Sequence, residues 1–361
     1  MRYAIVSDIH ANRTALRAVE HVVKWLRRDG DVRYWLLGDL VGYGPASEAI
    51  ECLQWLRLQS RIYNSSGEDM ARWVPGNHDE WLASPAGRLR PGAEVTLYVQ
   101  RGLLQESEKS DDRKWYTWFS EQVNTIVNDG NRSLPIVREN DSPDLVLAFT
   151  HGAAQRPFRR NHYLFPWEET KLLTDLAEFQ QEMALRLGTV EARTICLLYG
   201  HTHFPVMARL DDGRICFESI RYGKPIPLGE GYVAINPGSV GQPRDGDPRA
   251  SFAVLDTEAR TVEFRRVEYD IQEVVAKLSD ESNHSAGRQD IADALMHLDG
   301  KDPRGAGAGE QADYREKIRA AYTDLIRQLQ EGNGGQHGKY YEKVYRRPEY
   351  DLIAMHHSVE E

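Results

Sequence analysis

Five times along this chain a short apolar run ends directly in a cluster of Asp, Asn, His and Gly. The clusters are Asp8-Ile9-His10, Gly38-Asp39, Gly76-Asn77-His78-Asp79, Thr150-His151-Gly152 and Gly200-His201-Thr202-His203. A compact apolar run closed by turn residues reads as a buried strand. Between the first three runs lie two stretches of helical periodicity. Residues 13–28 place Leu16, Val19, Val22, Val23 and Leu26 on one face, and residues 46–58 do the same with Ala49, Ile50, Leu53 and Leu56. That β-α-β-α-β order implies a largely parallel sheet with right-handed crossovers. In such sheets ligands gather beyond the carboxyl ends of the strands, where all five clusters fall.

Residues 80–143 are less regular and read as an insertion, with a Gly/Pro-marked stretch from Pro85 to Gly92, a charge run from Glu106 to Lys114 and a helix near 115–127. Buried strands return at 145–149 and 195–199, separated by a helix carrying Leu172, Leu176, Phe179 and Met183. From about residue 205 the pattern changes. Two strands flank Asp212-Gly213, a strong hairpin signal, and more strands follow at 232–235, 251–255 and 262–267. A parallel half followed by an antiparallel half predicts an α/β fold: a four-layer αββα sandwich with two stacked mixed sheets. The catalytic domain is expected over residues 1–268, with its insertion at about 80–115, and residues 269–361 form a helical extension and tail. Within that extension, helices are expected near 271–278, 289–298 and 313–330. The last carries an apolar stripe (Ile318, Ala321, Tyr322, Leu325, Ile326, Leu329) that the core or a second copy of the chain must cover.

The net charge of −10, from 55 acids and 45 bases, disfavours sequence-independent binding to duplex nucleic acid, which needs a basic footprint. Cys52, Cys196 and Cys216 form no CxxC pair and read as free thiols of a reducing compartment. No window is long and apolar enough for a signal peptide or a membrane span, so a soluble, cytoplasmic protein is expected.

Setting His78 and Asp79 aside, the clusters supply two carboxylates, four imidazoles and one amide oxygen. In an extended chain residues two apart point to the same side, which makes Asp8 with His10, and His201 with His203, chelating pairs. These donors suit Mn, Fe, Zn, Mg or Ni as divalent ions, and the lack of thiolate argues against a structural zinc site. Each cluster alone has a plainer explanation: a helix cap at Asp39, a turn at Gly76–Asp79, a hydrogen-bonded core histidine at His151. Five such accidents at successive strand ends are much harder to accept than one metal centre. Asn12 and Arg156 are weaker candidates for holding substrate, Asn12 reading equally well as a helix cap. Arg159 and Arg160 could gather anions with Arg156. Arg244 and Arg249, beside the Asn236-Pro237-Gly238-Ser239 turn, read as surface residues.

These blocks, in this order, resemble the calcineurin-like metallophosphoesterase superfamily, especially its compact prokaryotic branch of phosphodiesterases and phosphatases. The stretches from Gly38 to Pro45 and from Asn236 to Pro243 are typical of that branch. The resemblance implies that Asp8, His10 and His203 hold one metal ion, that Asn77, His151 and His201 hold another, and that Asp39 bridges them. Manganese is the leading metal. His78 would face the substrate, with Asp79 orienting its ring. Two such cations, ~3.5–4 Å apart, clamp phosphate oxygens and acidify a bridging water for in-line attack. The expected function is therefore hydrolysis of phosphate mono- or diesters. Phosphoproteins and dinucleotide polyphosphates are alternative substrates, and a non-catalytic scaffold of the same fold is the alternative class.

Overall fold

The computed structural model describes residues 1–59, 71–85, 89–109, 114–128, 136–139, 142–153, 163–187, 193–288 and 308–332. One sheet contains β1 (Arg2–Val6), β2 (Val32–Leu36), β3 (Ala71–Trp73), β9 (Pro225–Pro227), β11 (Ala250–Asp256) and β12 (Thr261–Val267). Its strand order is β3-β2-β1-β11-β12-β9. The other contains β4 (Ile136–Glu139), β5 (Ser142–Phe149), β6 (Thr194–Leu198), β7 (Pro205–Asp211), β8 (Arg214–Phe217) and β10 (Gly231–Pro237). Its order is β4-β5-β6-β10-β7-β8.

Strand alternation stacks the two sheets. Tyr3 and Ile5 of β1 join Leu145, Leu147, Cys196, Leu198, Val233 and Ile235 in a core between the sheets. The alternate residues Ala4 and Val6 face α1 (Arg13–Leu26) and α2 (Ala46–Gln59) in a second core. Val146, Ala148, Ile195 and Leu197 face α6 (Glu169–Leu187) in a third. Period-2 patterning thus gives each sheet one inner and one helix-covered face, the expected αββα sandwich.

Both sheets combine strands from the two halves of the chain, in keeping with the mixed sheets expected. β11 returns to pair antiparallel with β1, Ile5 opposite Ala253, so both sheets are mixed. α3 (Asn77–Ala83) starts within the third motif, and the stretch read as an irregular insertion holds α4 (Pro91–Ser107) besides the helix expected there, α5 (Trp115–Asn128). In α4, Leu97 and Leu104 enter the core while Gln100 pins the Gly42–Gly44 loop by accepting from Gly42 N and donating to the carbonyls of Gly42 and Gly44. Buried Glu94, Thr96 and Gln100 break the apolar periodicity that would have revealed this helix.

α7 (Ile271–Gly287) and α8 (Ala308–Glu331) pack on one another and on α4 through Val274, Leu278, Ile318, Tyr322 and Val95. Glu281 of α7 accepts from the backbone N–H groups of Ala46 and Ser47 at the start of α2. The helix expected near 289–298, Arg156, Arg159, Arg160 and the tail beyond 332 lie outside the described residues. Among the described residues no helix is long and apolar enough to cross a membrane. All three cysteines are free; Cys52 and Cys196 are buried and Cys216 is exposed.

Candidate metal centre

The five motifs converge past the carboxyl ends of β1, β2, β3, β5 and β6, each of which has a parallel neighbour in its sheet. Their side chains meet without extended geometry. Asp8, His10, Asp39, His201 and His203 have φ of 52°, 51°, 53°, 68° and 64°, all left-handed. Non-glycine residues pay for that region in strain, and strain of this kind gathers where the surroundings fix a functional geometry. Asp8 and His10 therefore converge through a tight turn. The His201–His203 pair expected from two-residue spacing is divided between two groups.

Hydrogen bonds on the far sides of the rings set the chemistry. His10 Nδ1 lies 3.1 Å from Val41 O, His203 Nδ1 2.5 Å from Gln242 O, and His151 Nδ1 2.6 Å from Leu37 O. A carbonyl only accepts, so each Nδ1 carries the proton and each Nε2 presents a lone pair. His10 Nε2 and His203 Nε2 are 3.1 Å apart, and Asp8 Oδ1 lies 3.8 and 3.2 Å from them. Asp8 Oδ1 is buried with no hydrogen-bond donor, whereas its Oδ2 accepts from Ser7 Oγ and His201 N. Three acceptors face one point.

The second group is built alike. His151 Nε2 lies 3.2 Å from Asn77 Oδ1, 3.0 Å from His201 Nδ1 and 3.3 Å from Asp39 Oδ2. Asp39 Oδ2 is also 3.9 Å from both His10 Nε2 and His78 Nε2, which places it between the groups. Ligands about 2.1 Å from one ion stand roughly 3.0–3.4 Å apart in octahedral or tetrahedral geometry, so the donor sets fit divalent cations.

Burial holds His10, His78, His201 and His203 well below the usual imidazole range, in the neutral form a metal requires. Burial opposes charge on His151 too, but Asp39 and Asp8 overcome it and push this ring up to about 10. A proton there occupies the place a cation would take. Burial likewise works against ionised Asp39, and the histidines His151 and His78 outweigh it, keeping the carboxylate charged.

The sequence profile of the calcineurin-like phosphoesterase superfamily domain matches residues 1–260. The chain belongs to that superfamily. A protein of Methanocaldococcus jannaschii, MJ0912, is 27% identical over 279 residues, 76% of this chain and 90% of its own length. A metallophosphoesterase from Sphaerobacter thermophilus has a similar structure, with TM-score 0.53 and 26% identity over 92% of this chain and 99% of that one. The hypothetical protein PH1004 of Pyrococcus horikoshii shares the fold, with TM-score 0.51 and 17% identity over 78% of this chain and 93% of that one.

Three residues differ from expectation. Asp79 does not hold the His78 ring. Its carboxylate accepts from the N–H groups of Gly76, Leu40 and Val41, closing the start of α3 and the loop after Asp39, and His78 Nδ1 has no partner. Burial and the nearby Asp39 charge push Asp79 up to about 7 despite those bonds. Asn12 is spent on structure: its oxygen caps α1 at Ala15 N and its amide donates to Gly241 O and the Tyr269 hydroxyl. Both of its N–H donors are thus committed within the protein, leaving none for a phosphate oxygen.

Arg244, expected at the surface, is only 3% exposed. Its guanidinium stands 5.5 Å over the Tyr43 ring and donates to Gln242 Oε1 at 2.8 Å. Among the described residues it makes no ion pair, and its charge bears on His10, His78, His201 and His203. A single Arg in a Gly- and Asp-rich loop gives no sequence sign of such burial. Arg249 pairs with Asp247 instead. Tyr163 was also missed; its ring stacks on His201 at 3.8 Å. The alternation Tyr163, Phe165, Trp167 was the available signal, since these rings stack in succession.

Proposed function

We propose that this chain is a hydrolase of phosphate esters that works with two divalent cations. Asp8, His10 and His203 hold one, Asn77, His151 and His201 hold the other, and Asp39 lies between them. The observation that carries this reading is the meeting of acceptor atoms without a proton donor between His10, His203 and Asp8. Buried acceptors so arranged repel each other unless a cation joins them. Cations there supply charge for the phosphate oxygens and acidify a water molecule for in-line attack.

The chain's own residues do the rest. Arg244 adds a buried positive charge with no carboxylate against it, which favours a substrate that brings anionic oxygens. His78 turns Nε2 toward the centre, 3.9 Å from Asp39 Oδ2, where an imidazole N–H can donate to the departing oxygen. Tyr43 and Tyr163 flank the centre and limit water. Similarity to the Sphaerobacter thermophilus metallophosphoesterase supports the reaction class.

The test is a matrix of metals against substrates. Manganese, iron, zinc, magnesium and nickel are each added to metal-stripped protein and assayed on mono- and bis-substituted aryl phosphates and on 2′,3′- and 3′,5′-cyclic nucleotides. Metal-dependent turnover of at least one ester is expected, with manganese the first candidate. Turnover unaffected by stripping would defeat the reading.

A further inference from the structure

Beside the metal centre a cavity of about 510 Å³ opens between the start of α4 and one face of α8, lined by Tyr43, Arg90, Val95, Lys317, Ala320 and Leu325. Its volume lies in the range of small-molecule sites and far exceeds what inorganic phosphate needs. Two features join it to the centre. Tyr43 is one wall, and the same ring packs 4.8 Å from His10 and 4.7 Å from His78. Gln328 of α8, at the cavity edge, accepts from Gln242 Nε2 at 3.2 Å. Gln242 in turn takes the His203 Nδ1 proton on its carbonyl and holds Arg244 on Oε1.

We propose that this cavity receives the organic group of the substrate, so that the preferred substrates are phosphate esters of an alcohol of about nucleoside size. This rests on the phosphoesterase reading of the metal centre. The phosphate lies at the cations and Arg244, and the organic group passes Tyr43 to lie against Val95 and Leu325. Arg90 and Lys317 are balanced by Glu94 and Asp324 around the cavity, so its attraction comes from Tyr43, Val95 and Leu325, which suit the uncharged body of an organic group. α8 supplies none of the proposed metal ligands and lies beyond the residues matched by the family profile. Its contribution is the outer wall of the substrate pocket.

Ala320 is exposed on α8 while lining the cavity, so Ala320→Trp fills the pocket without entering the core. Manganese-loaded full-length protein is titrated calorimetrically with adenosine 5′-monophosphate, inorganic phosphate and a phosphoserine peptide. The nucleotide should bind at least about tenfold tighter than inorganic phosphate. Ala320→Trp should erase that margin and leave phosphate affinity unchanged, while Ala320→Ser keeps it. Equal binding of nucleotide and phosphate by the parent protein, an unchanged margin in Ala320→Trp, or tighter binding of the peptide overturns the proposal. Failure of all esters to turn over would instead defeat the hydrolase reading, and the binding margin would still decide the role of the pocket.

Discussion

Replacing Gly42 by alanine would set a methyl group against the His78 ring. Gly42 has φ of +104°, and a Cβ there would lie 2.1 Å from His78 Nδ1 and 3.0 Å from its Cγ. Its backbone cannot simply retreat, because Gln100 bonds both its N–H, at 2.9 Å, and its carbonyl, at 3.0 Å. Ordinary contact begins at 3.4 Å, so the ring must yield by about 1.3 Å. A reacting group misplaced by about 1 Å costs roughly 10²-fold in rate. The left-handed backbone adds about 1–2 kcal/mol of destabilisation. The three atoms nearest the new methyl all belong to His78, and none to the seven proposed ligands. Gly42→Ala should therefore retain both ions by elemental analysis, melt somewhat lower, and turn over an alkyl phosphate about 100-fold more slowly. Parent-level turnover with both ions bound would refute the placement of His78 at the reacting atoms.

Asp39→Asn should weaken metal binding by about three orders of magnitude, since a carboxylate 4 Å from a cation contributes ~4 kcal/mol per unit charge at intermediate dielectric; parent affinity in a calorimetric titration would contradict the bridging role. His78→Ala should keep both ions and lose ~10²–10⁴-fold in turnover on alkyl esters, less on a nitrophenyl ester whose leaving group needs no proton. Loss of an ion on that substitution would make His78 a ligand instead. In metal-free protein, stability should fall steeply as pH drops below about 6.5. Unfolded imidazoles then take up protons that His10, His78, His201 and His203 resist, and the four outweigh Asp79 acting oppositely. Above that pH it should decline gently as the His151 contribution is lost toward about 10, so a melting temperature that rises on acidification to pH 5 would contradict these environments.

The cluster of candidate metal ligands was legible in the sequence because its information is local. Each ligand follows an apolar run that can only be a buried strand, and the alternation in Tyr3–Val6 or Leu145–Phe149 assigns the two faces. The way the ligands converge was not legible, since left-handed φ at Asp8, His10 and His203 comes from packing rather than from residue type. Arg244 and Asp79 were misread for the same reason: their partners, Gln242 with Tyr43 and the loop at Leu40–Val41, are fixed by tertiary contacts. β9 escaped notice because Pro225 and Pro227 argue against a strand, yet it lies at a sheet edge where proline is tolerated. α4 escaped because its inner face carries polar groups that hold the Gly42 loop.

The central reading is that two cations share this site across Asp39. It is tested most directly by counting the manganese ions that metal-stripped protein takes up while following the return of phosphoesterase activity. Two ions per chain are expected, with turnover appearing as the second binds. Full turnover without metal, or saturation at a single ion with full turnover, would contradict it.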